Sequence, residues 1–170
     1  MHYVSFKTRI CAFLLDYLLI LLYGIFVVGT ISIVFRPMVL PLFSNTPALA
    51  QLTGFFLITL PVSLYFALCE CSRWQGTIGK KVLRIKVADH EGRRIHIGRS
   101  IVRTAIKFLP WEIAHFAIWH LVLPSQLSEM IIYLFLSLAN IALILYVIVP
   151  FTNKRRKNIY DWVARTIVIH

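Results

Sequence analysis

Residues 10–35 read ICAFLLDYLLILLYGIFVVGTISIVF, an apolar run that holds one charged residue, Asp16, and lies between Arg9 and Arg36. At about 1.5 Å per residue, a helix of this length can cross the roughly 30 Å of hydrocarbon in a bilayer. The run therefore predicts a first membrane-spanning helix. A cleaved signal peptide with Ala48-Leu49-Ala50 as its cleavage site is the alternative, but a signal core is shorter and disfavours an internal Asp.

Three further segments complete a predicted set of four spans: residues 49–69, 104–123 and 130–151. The composition agrees with a membrane protein, because 59% of the 170 residues are hydrophobic and only 15% are charged. Soluble domains contain about 45–50% apolar and about 25% charged residues. One transmembrane domain over residues 1–170 fits this length, and the proline-containing segment 36–47 is predicted to be a loop.

Basic residues collect in two segments, residues 70–103 and the tail 152–170, while the connections 37–48 and 124–129 contain no Lys or Arg. Cytoplasmic loops of membrane proteins carry such an excess of positive charge. We therefore expect a multi-pass protein of a bacterial inner membrane with both termini in the cytoplasm. An even number of crossings then separates the basic segments, so residues 104–123 should span or re-enter. The net charge of +11 indicates this bias and not nucleic-acid binding.

The basic segment also contains a pattern typical of short strands. Residues 83–87 and 94–97 alternate between apolar and polar side chains, and Asp89 to Gly92 between them are turn formers. These residues predict a small cytoplasmic β-hairpin, to which Thr166 to Ile169 could add a third strand. The predicted fold class is all-α transmembrane: a four-helix membrane bundle with this hairpin and a short C-terminal helix and strand.

Asp16 is the first candidate site residue, because a charged side chain inside a span costs about 2.5–3.5 kcal/mol on insertion scales. Arg9 lies seven positions earlier, about 10 Å along the helix axis, which is too far for an easy direct bond. We expect a partner from another element: Arg103, Lys107 or Arg165. The pair could fix helix packing or form a cation or proton site, and the third alternative is a carboxyl near the headgroups in contact with water.

Two other acidic residues have alternative interpretations. Asp161 and Arg165 are spaced i,i+4 and could form an exposed pair worth only about 0.3–0.5 kcal/mol. Alternatively, Asp161 reaches Arg9 or Arg103 and clamps the tail against the first helix.

Glu112 and His115 share a helical face in the third predicted span, a spacing used by metal sites and by proton relays. A membrane-entrance Glu with an interfacial His is the plainer alternative. Since a di-metal site needs a second such motif, we expect no metal. No cofactor and no enzymatic activity are expected either.

The segment Gly76-Thr77-Ile78-Gly79-Lys80-Lys81 lacks the spacing and the hydroxyl residue of a phosphate-binding loop, and it is predicted to be a turn at the membrane surface. Basic side chains near the predicted span ends are expected to bind anionic lipid headgroups. These residues are Lys80, Lys81, Arg99, Lys154, Arg155, Arg156 and Lys157.

The order of several motifs resembles the RDD family, small bacterial membrane proteins named for one Arg and two Asp. The motifs are Arg9-Ile-Cys-Ala12-Phe-Leu-Leu-Asp16, the Gly76 to Lys81 segment, Asp89-His-Glu-Gly92-Arg93, Arg99, Arg103, Asn158-Ile-Tyr-Asp161 and Thr166-Ile-Val168. The resemblance covers nearly the whole chain and points to Arg9, Asp16 and Asp161 as the named positions. The sequence departs from the family in having Asn158-Ile159-Tyr160 where Gly-Leu-His is common.

The resemblance implies a plasma-membrane location but little about activity, since some members are proposed to be transporters, including cation/proton antiporters. We therefore expect a transporter or a transport-associated subunit. Four short helices enclose little volume, so a pathway would need a homo-oligomer. The alternative is a non-catalytic membrane scaffold or accessory protein that binds a cytoplasmic partner or anionic lipid.

Overall fold

The computed structural model describes residues 4–170, most of which are helical. In chain order, the helices are α1 (Phe6–Val34), α2 (Arg36–Ser44), α3 (Pro47–Cys71), α4 (Ile78–Val82), α5 (Ile97–Val122), α6 (Glu129–Phe151) and α7 (Ile159–Val163), and the strands are β1 (Lys86–Ala88) and β2 (Ile167–Ile169). Helices α1 and α3 each contain a π-helical turn, at Gly24–Val28 and Phe55–Thr59, and α6 ends in a 3-10 turn.

Three of these helices, α1, α3 and α6, are long and apolar enough to cross a membrane, and they agree with three of the predicted spans. Helix α5 covers the fourth predicted span and has 26 residues, a length that also suffices. However, α5 carries Lys107, Pro110 and Glu112 within its apolar part. The count of four spans therefore stays a prediction, while the membrane character of the chain rests on the other three helices.

The prediction of a loop over residues 36–47 is wrong for most of its length, because Arg36–Ser44 is helical. Pro37 lies in the first turn, where backbone N–H groups have no intrahelical partner and proline is tolerated. Pro41 removes one further hydrogen bond inside the helix. Proline content was thus a poor guide to the conformation of this segment.

The predicted hairpin is also wrong in its pairing. Strand β1 pairs antiparallel with β2 from the tail, in the register Lys86↔Ile169 and Ala88↔Ile167. Residues 94–97, which were predicted to form the second strand, contribute one isolated bridge, Ala88↔Arg94, because α5 begins at Ile97. The expectation that the tail would join this sheet is confirmed.

The described chain divides into two compact units. Unit 1 contains the described residues up to Ile20, Val62–Lys107 and Ile144–His170, and unit 2 contains Leu21–Pro61 and Phe108–Leu143. The hydrophobic core of unit 1 joins the start of α1 to both strands through Val4, Ala12, Ile85, Val87, Ile95 and Val168. This core brings the tail next to α1, and so positions the charged residues described below.

Candidate functional site

Asp16 is almost completely buried in unit 1, and it is held by three neutral donors. The hydroxyl of Tyr65 and the backbone N–H of Gly79 donate to Oδ1 over 2.8 and 2.9 Å, and the Thr77 hydroxyl donates to Oδ2 over 2.5 Å. The salt bridges of Arg9, Lys80 and Arg103 go to Glu70 and Asp161 and not to Asp16. Of the predicted partners, Arg103 is therefore paired elsewhere.

The surroundings of the three predicted partners differ. Arg103 donates to Glu70 and Asp161, and the Lys107 ammonium lies 3.4 Å from the centroid of the Phe66 ring. Arg165 is exposed. Hydrogen bonds from neutral donors stabilise a buried carboxylate without a cation, so Asp16 needs no ion pair to lie inside α1.

The segment from Gly76 to Lys81 supplies two of the three donors to Asp16, which gives this motif its role. Gly79 lies so close to α1 that a Cβ there would be 2.2 Å from the backbone oxygen of Ala12. Only glycine permits this approach, and the approach brings the Gly79 N–H to Asp16. The segment is a docking turn for α1 and is not a phosphate loop.

A second group of buried charges, which we call the ion-pair cluster, consists of Arg9, Glu70, Lys80, Arg103 and Asp161. Lys80 donates to Glu70 over 2.7 Å, and Arg103 donates to the other Glu70 oxygen over 2.5 Å. Arg103 also donates to Asp161 through Nε and Nη2, over 3.0 and 2.8 Å. The two acids are fully buried, and Arg103 bridges them.

Arg9 completes the cluster by donating from Nη1 to Asp161 over 3.2 Å. The prediction that Asp161 reaches Arg9 or Arg103 is confirmed, since it contacts both, and the i,i+4 pair with Arg165 does not form. Asp161 also accepts the backbone N–H of Asn158 and so caps α7. The tail is thereby held to α1 and α5, as the sequence predicted.

The cluster changes the titration of tail groups that lie outside the spanning segments. Burial would raise the pKa of Asp161, but Arg103 and Arg9 outweigh it, so the pKa lies below the usual value. Burial and the charge of Asp161 together raise the pKa of Tyr160 to about 12. The Arg103 guanidinium, which Asp161 holds by two hydrogen bonds, lies 4.9 Å from the Tyr160 ring centroid, within the range of a cation–π interaction.

Glu70 and Lys80 are the members of the cluster that the sequence analysis missed. Glu70 follows directly on the second apolar run and was assigned to the basic loop, and Lys80 was assigned to lipid headgroups. A signal was present, because only seven acidic residues face eighteen Lys and Arg, and Glu70 borders an apolar run. An acid in that position is a natural partner for buried cations.

The other residues predicted to bind lipid headgroups range from exposed to buried. Lys81, Lys154, Arg155 and Arg156 are exposed and Arg99 is half-buried. Lys157 is buried, with its ammonium 3.3 Å from the Nε2 atom of His90, so its assignment to lipid headgroups is wrong. Partial loss of hydration and the nearby charge of Arg155 lower the pKa of Lys157.

In unit 2, Glu112 lies on α5 and is also held by neutral groups. Gln51 donates to Oε2 over 2.6 Å, and the Thr59 hydroxyl donates to Oε1 over 2.5 Å. Thr59 is the last residue of the π-helical turn in α3, and Tyr23 donates to the Leu57 oxygen within the same turn. A π-helical turn in a long helix is often found at a functional site.

His115 shares the helical face of Glu112 but does not bond to it. Its Nδ1 lies 2.9 Å from the backbone oxygen of Trp111. A carbonyl oxygen only accepts, so Nδ1 carries the proton and Nε2 is the acceptor of the neutral ring. No group of three His, Cys, Asp or Glu side chains that could hold a metal occurs in residues 4–170.

A cavity of about 60 Å³ adjoins Glu112 and His115. It is large enough for a few water molecules, which need roughly 10–15 Å³ each by the same measure. The Oε1 atom of Gln51 and the indole N–H of Trp119, both from residues that line the cavity, are buried without a hydrogen-bond partner in the described part of the chain. Water in the cavity can donate to the Gln51 oxygen and accept from the Trp119 indole N–H.

The comparisons with known proteins agree with the resemblance seen in the sequence. The RDD family matches residues 3–165 of this chain. Among curated proteins, YxaI of Bacillus subtilis (strain 168) is 44% identical over 48 residues, which are 28% of this chain and 32% of YxaI. The match thus spans about a third of that relative. No solved structure matches the chain.

Proposed function

From the premise that this chain belongs to the RDD family, we propose that it is a membrane transporter that exchanges a small cation for protons, with Glu112 as the group that binds either one. The observation that supports this proposal is a carboxylate on a long helix, without an ion pair in the described residues, next to a cavity. The proposal includes α5 as a fourth span and both termini in the cytoplasm.

The physical argument starts from the cost of the Glu112 charge. Neutral donors lower this cost but do not cancel the charge, which still favours a proton or a cation over an empty site. The cavity brings water or a cation within reach of Glu112, whereas the Asp16 carboxylate accepts hydrogen bonds from three neutral donors. Binding of one cation then competes with binding of one proton, which is the requirement for exchange.

His115 lies about one helical turn after Glu112 and can take part in proton transfer from it. Because Nδ1 donates to Trp111, the free acceptor of the neutral ring is Nε2, and His115 also lines the cavity. Water in the cavity would connect the carboxylate to the imidazole, a side chain that proteins use as a proton shuttle. His115 therefore serves as a relay for the proton that leaves Glu112.

The test is flux in proteoliposomes that contain a pH-sensitive dye, measured after addition of Na⁺ or K⁺ under a proton gradient. Glu112→Gln keeps the size of the side chain and one acceptor oxygen but cannot release a proton, so flux should fall to the level of protein-free liposomes. Glu129→Gln removes an exposed acid at the start of α6 and is the matched control. Flux that persists in Glu112→Gln, or its absence from the intact protein, would refute the proposal.

A membrane scaffold or accessory subunit is the second candidate, and the ion-pair cluster favours it. Its five residues all lie in unit 1, at positions that hold the tail, α1, α3 and α5 together, which is a structural task. A scaffold requires the exposed basic surface and not Glu112. In that case, replacing Arg93 and Arg94 by Gln should remove a cytoplasmic partner in a pull-down, and Glu112→Gln should leave that partner bound.

A further inference from the structure

An exposed patch of mixed chemistry follows the second long helix, and we name it the Trp74 patch: Arg73, Trp74, Ile78, Lys81, Val82 and Arg84. Its large apolar side chains stay open to their surroundings, with 49% of Trp74, 42% of Ile78 and 64% of Val82 exposed. Ile78 and Val82 are spaced i,i+4 and share one face of α4. The patch thus presents an apolar surface where no part of unit 1 covers it.

The remaining members of the patch are cations. The Lys81 ammonium lies 3.8 Å from the centroid of the Trp74 ring, and Arg73 and Arg84 are exposed. The other face of α4 is occupied, since Gly79 contacts Asp16 and Lys80 pairs with Glu70. The short helix is therefore fixed in the unit by one face, and the patch residues are free to bind something else.

Arg84 has a backbone conformation that favours glycine. Its φ is 55°, and it follows the Leu83 cap of α4, where helices commonly end with glycine in the left-handed region. A non-glycine side chain is strained in this conformation relative to glycine. An arginine at this position brings a positive charge to the patch at the expense of local stability.

The patch lies close in sequence to a membrane boundary. Helix α3, which is long and apolar enough to cross a membrane, ends at Cys71, three residues before Trp74. Tryptophan is enriched at the level of the lipid headgroups, and exposed cations there attract anionic lipid. Hydrophobic side chains that project beside cations suit a layer where acyl chains meet phosphates.

We propose that the Trp74 patch binds an anionic phospholipid, with Lys81, Arg73 and Arg84 on the phosphate and Trp74, Ile78 and Val82 in the acyl boundary. Three cations in one patch favour a phospholipid whose headgroup carries a net negative charge, such as phosphatidylglycerol, over a zwitterionic one. A free phosphate offers no partner for the apolar members, so the lipid is the expected source. The inference is independent of transport through Glu112.

The first test measures how many phosphatidylglycerol molecules stay bound to the purified protein in detergent, by native mass spectrometry. Arg84→Gly removes the charge and relieves the backbone, so it should retain less lipid while the melting temperature stays equal or rises. Arg165→Gly is the matched control, because Arg165 is exposed and has a φ of 53°. If the two variants retain as much phosphatidylglycerol as the wild type, or lose it equally, the proposal is wrong.

The second test locates the lipid by fluorescence in nanodiscs. The emission of Trp74 is taken as the part of the fluorescence that is lost in Trp74→Phe. Brominated phosphatidylglycerol should quench this emission more strongly than brominated phosphatidylcholine does. Lys81→Gln should abolish the difference between the two lipids. Trp162→Phe removes another half-exposed indole as a control. Equal quenching by the two lipids would overturn the anionic preference. Displacement of the lipid by inorganic phosphate would identify free phosphate as the ligand and equally contradict the proposal.

Discussion

Replacing Gly79 by alanine should destabilise unit 1 more than any other glycine substitution in a helix of the described chain. The added Cβ would lie 2.2 Å from the backbone oxygen of Ala12 and 3.0 Å from Oδ1 of Asp16. Carbon and oxygen atoms that do not bond stay more than 3 Å apart, so α4 and α1 would have to separate by about 1 Å. The first contact is with backbone, which cannot rotate away.

The magnitude follows from two contributions. Overpacking a close contact costs about 1–3 kcal/mol. Separation also breaks the hydrogen bond from the Gly79 N–H to the Asp16 carboxylate, and such a bond to a charged group is worth about 1.5–3 kcal/mol. We expect a loss of about 3–5 kcal/mol in the free energy of unfolding. For a chain of this size, that is a fall of roughly 10 °C in melting temperature.

The assay is thermal unfolding of the detergent-purified protein, followed by size-exclusion chromatography of the remaining monodisperse fraction. Gly24→Ala is the matched control, since a Cβ there meets no atom within 4 Å and alanine favours helix over glycine by about 1 kcal/mol. Its melting temperature should stay equal or rise. Wild-type stability of Gly79→Ala would show that the approach of α4 to α1 is not as described, and the account of Asp16 would fail with it.

Three further predictions concern other groups of unit 1. Asp16→Ala leaves three donors without an acceptor and should lower the melting temperature far more than Asp16→Asn, whose amide oxygen still accepts; equal losses would contradict this. Because the pKa of Asp161 is lowered in the folded protein, its ion pairs contribute fully to the free energy of unfolding above about pH 3.8, and this contribution is lost as the pH falls through the folded pKa. Wild type and Asp161→Asn should therefore differ in melting temperature at pH 7 and converge only in stronger acid. Loss of hydration and the Lys157 charge lower the pKa of His90 below 6.5 in the folded protein. The neutral ring therefore contributes fully to the stability of the fold above pH 6.5, and this contribution declines as the pH falls. His90→Gln should become the more stable protein only under acid conditions, and a difference already present at pH 8 would count against the assignment.

The sequence predicted the long helices because their signal is local. A run of apolar residues such as 10–35 needs no knowledge of its neighbours to be assigned to a membrane. The contact of Asp161 with Arg9 was also predictable in kind, since buried charges need partners and few acids were available. The fourth span was not settled in the same way, because Glu112 and Lys107 weaken the apolar signal that identified the others.

The errors arise where the sequence allows several partners and only packing chooses among them. Asp16 was expected to bind a cation, but hydroxyl and backbone donors of Tyr65, Thr77 and Gly79 satisfy it, and no spacing rule predicts such long-range neutral contacts. Strand pairing failed for a related reason. Residues 94–97 alternate as strands do, yet α5 begins at Ile97 and only Arg94 bridges to Ala88. The tail strand β2 pairs with β1 along its length instead.

The ion-pair cluster explains why charges that attract attention in a membrane sequence need not carry its activity. Glu70 pairs with Lys80 and Arg103, and Asp161 pairs with Arg9 and Arg103, so removing Glu70 takes the ion-pair partner from Lys80 and removing Asp161 takes it from Arg9. Leaving a buried charge without its partner costs several kcal/mol. Residues under such a constraint are fixed by folding, and a proton or ion that exchanged there would release the tail from α1 at every cycle. Glu112 is free of this constraint, because its partners are neutral and a cavity adjoins it. In the proposed exchange, Glu112 is therefore the better candidate for the group whose charge changes.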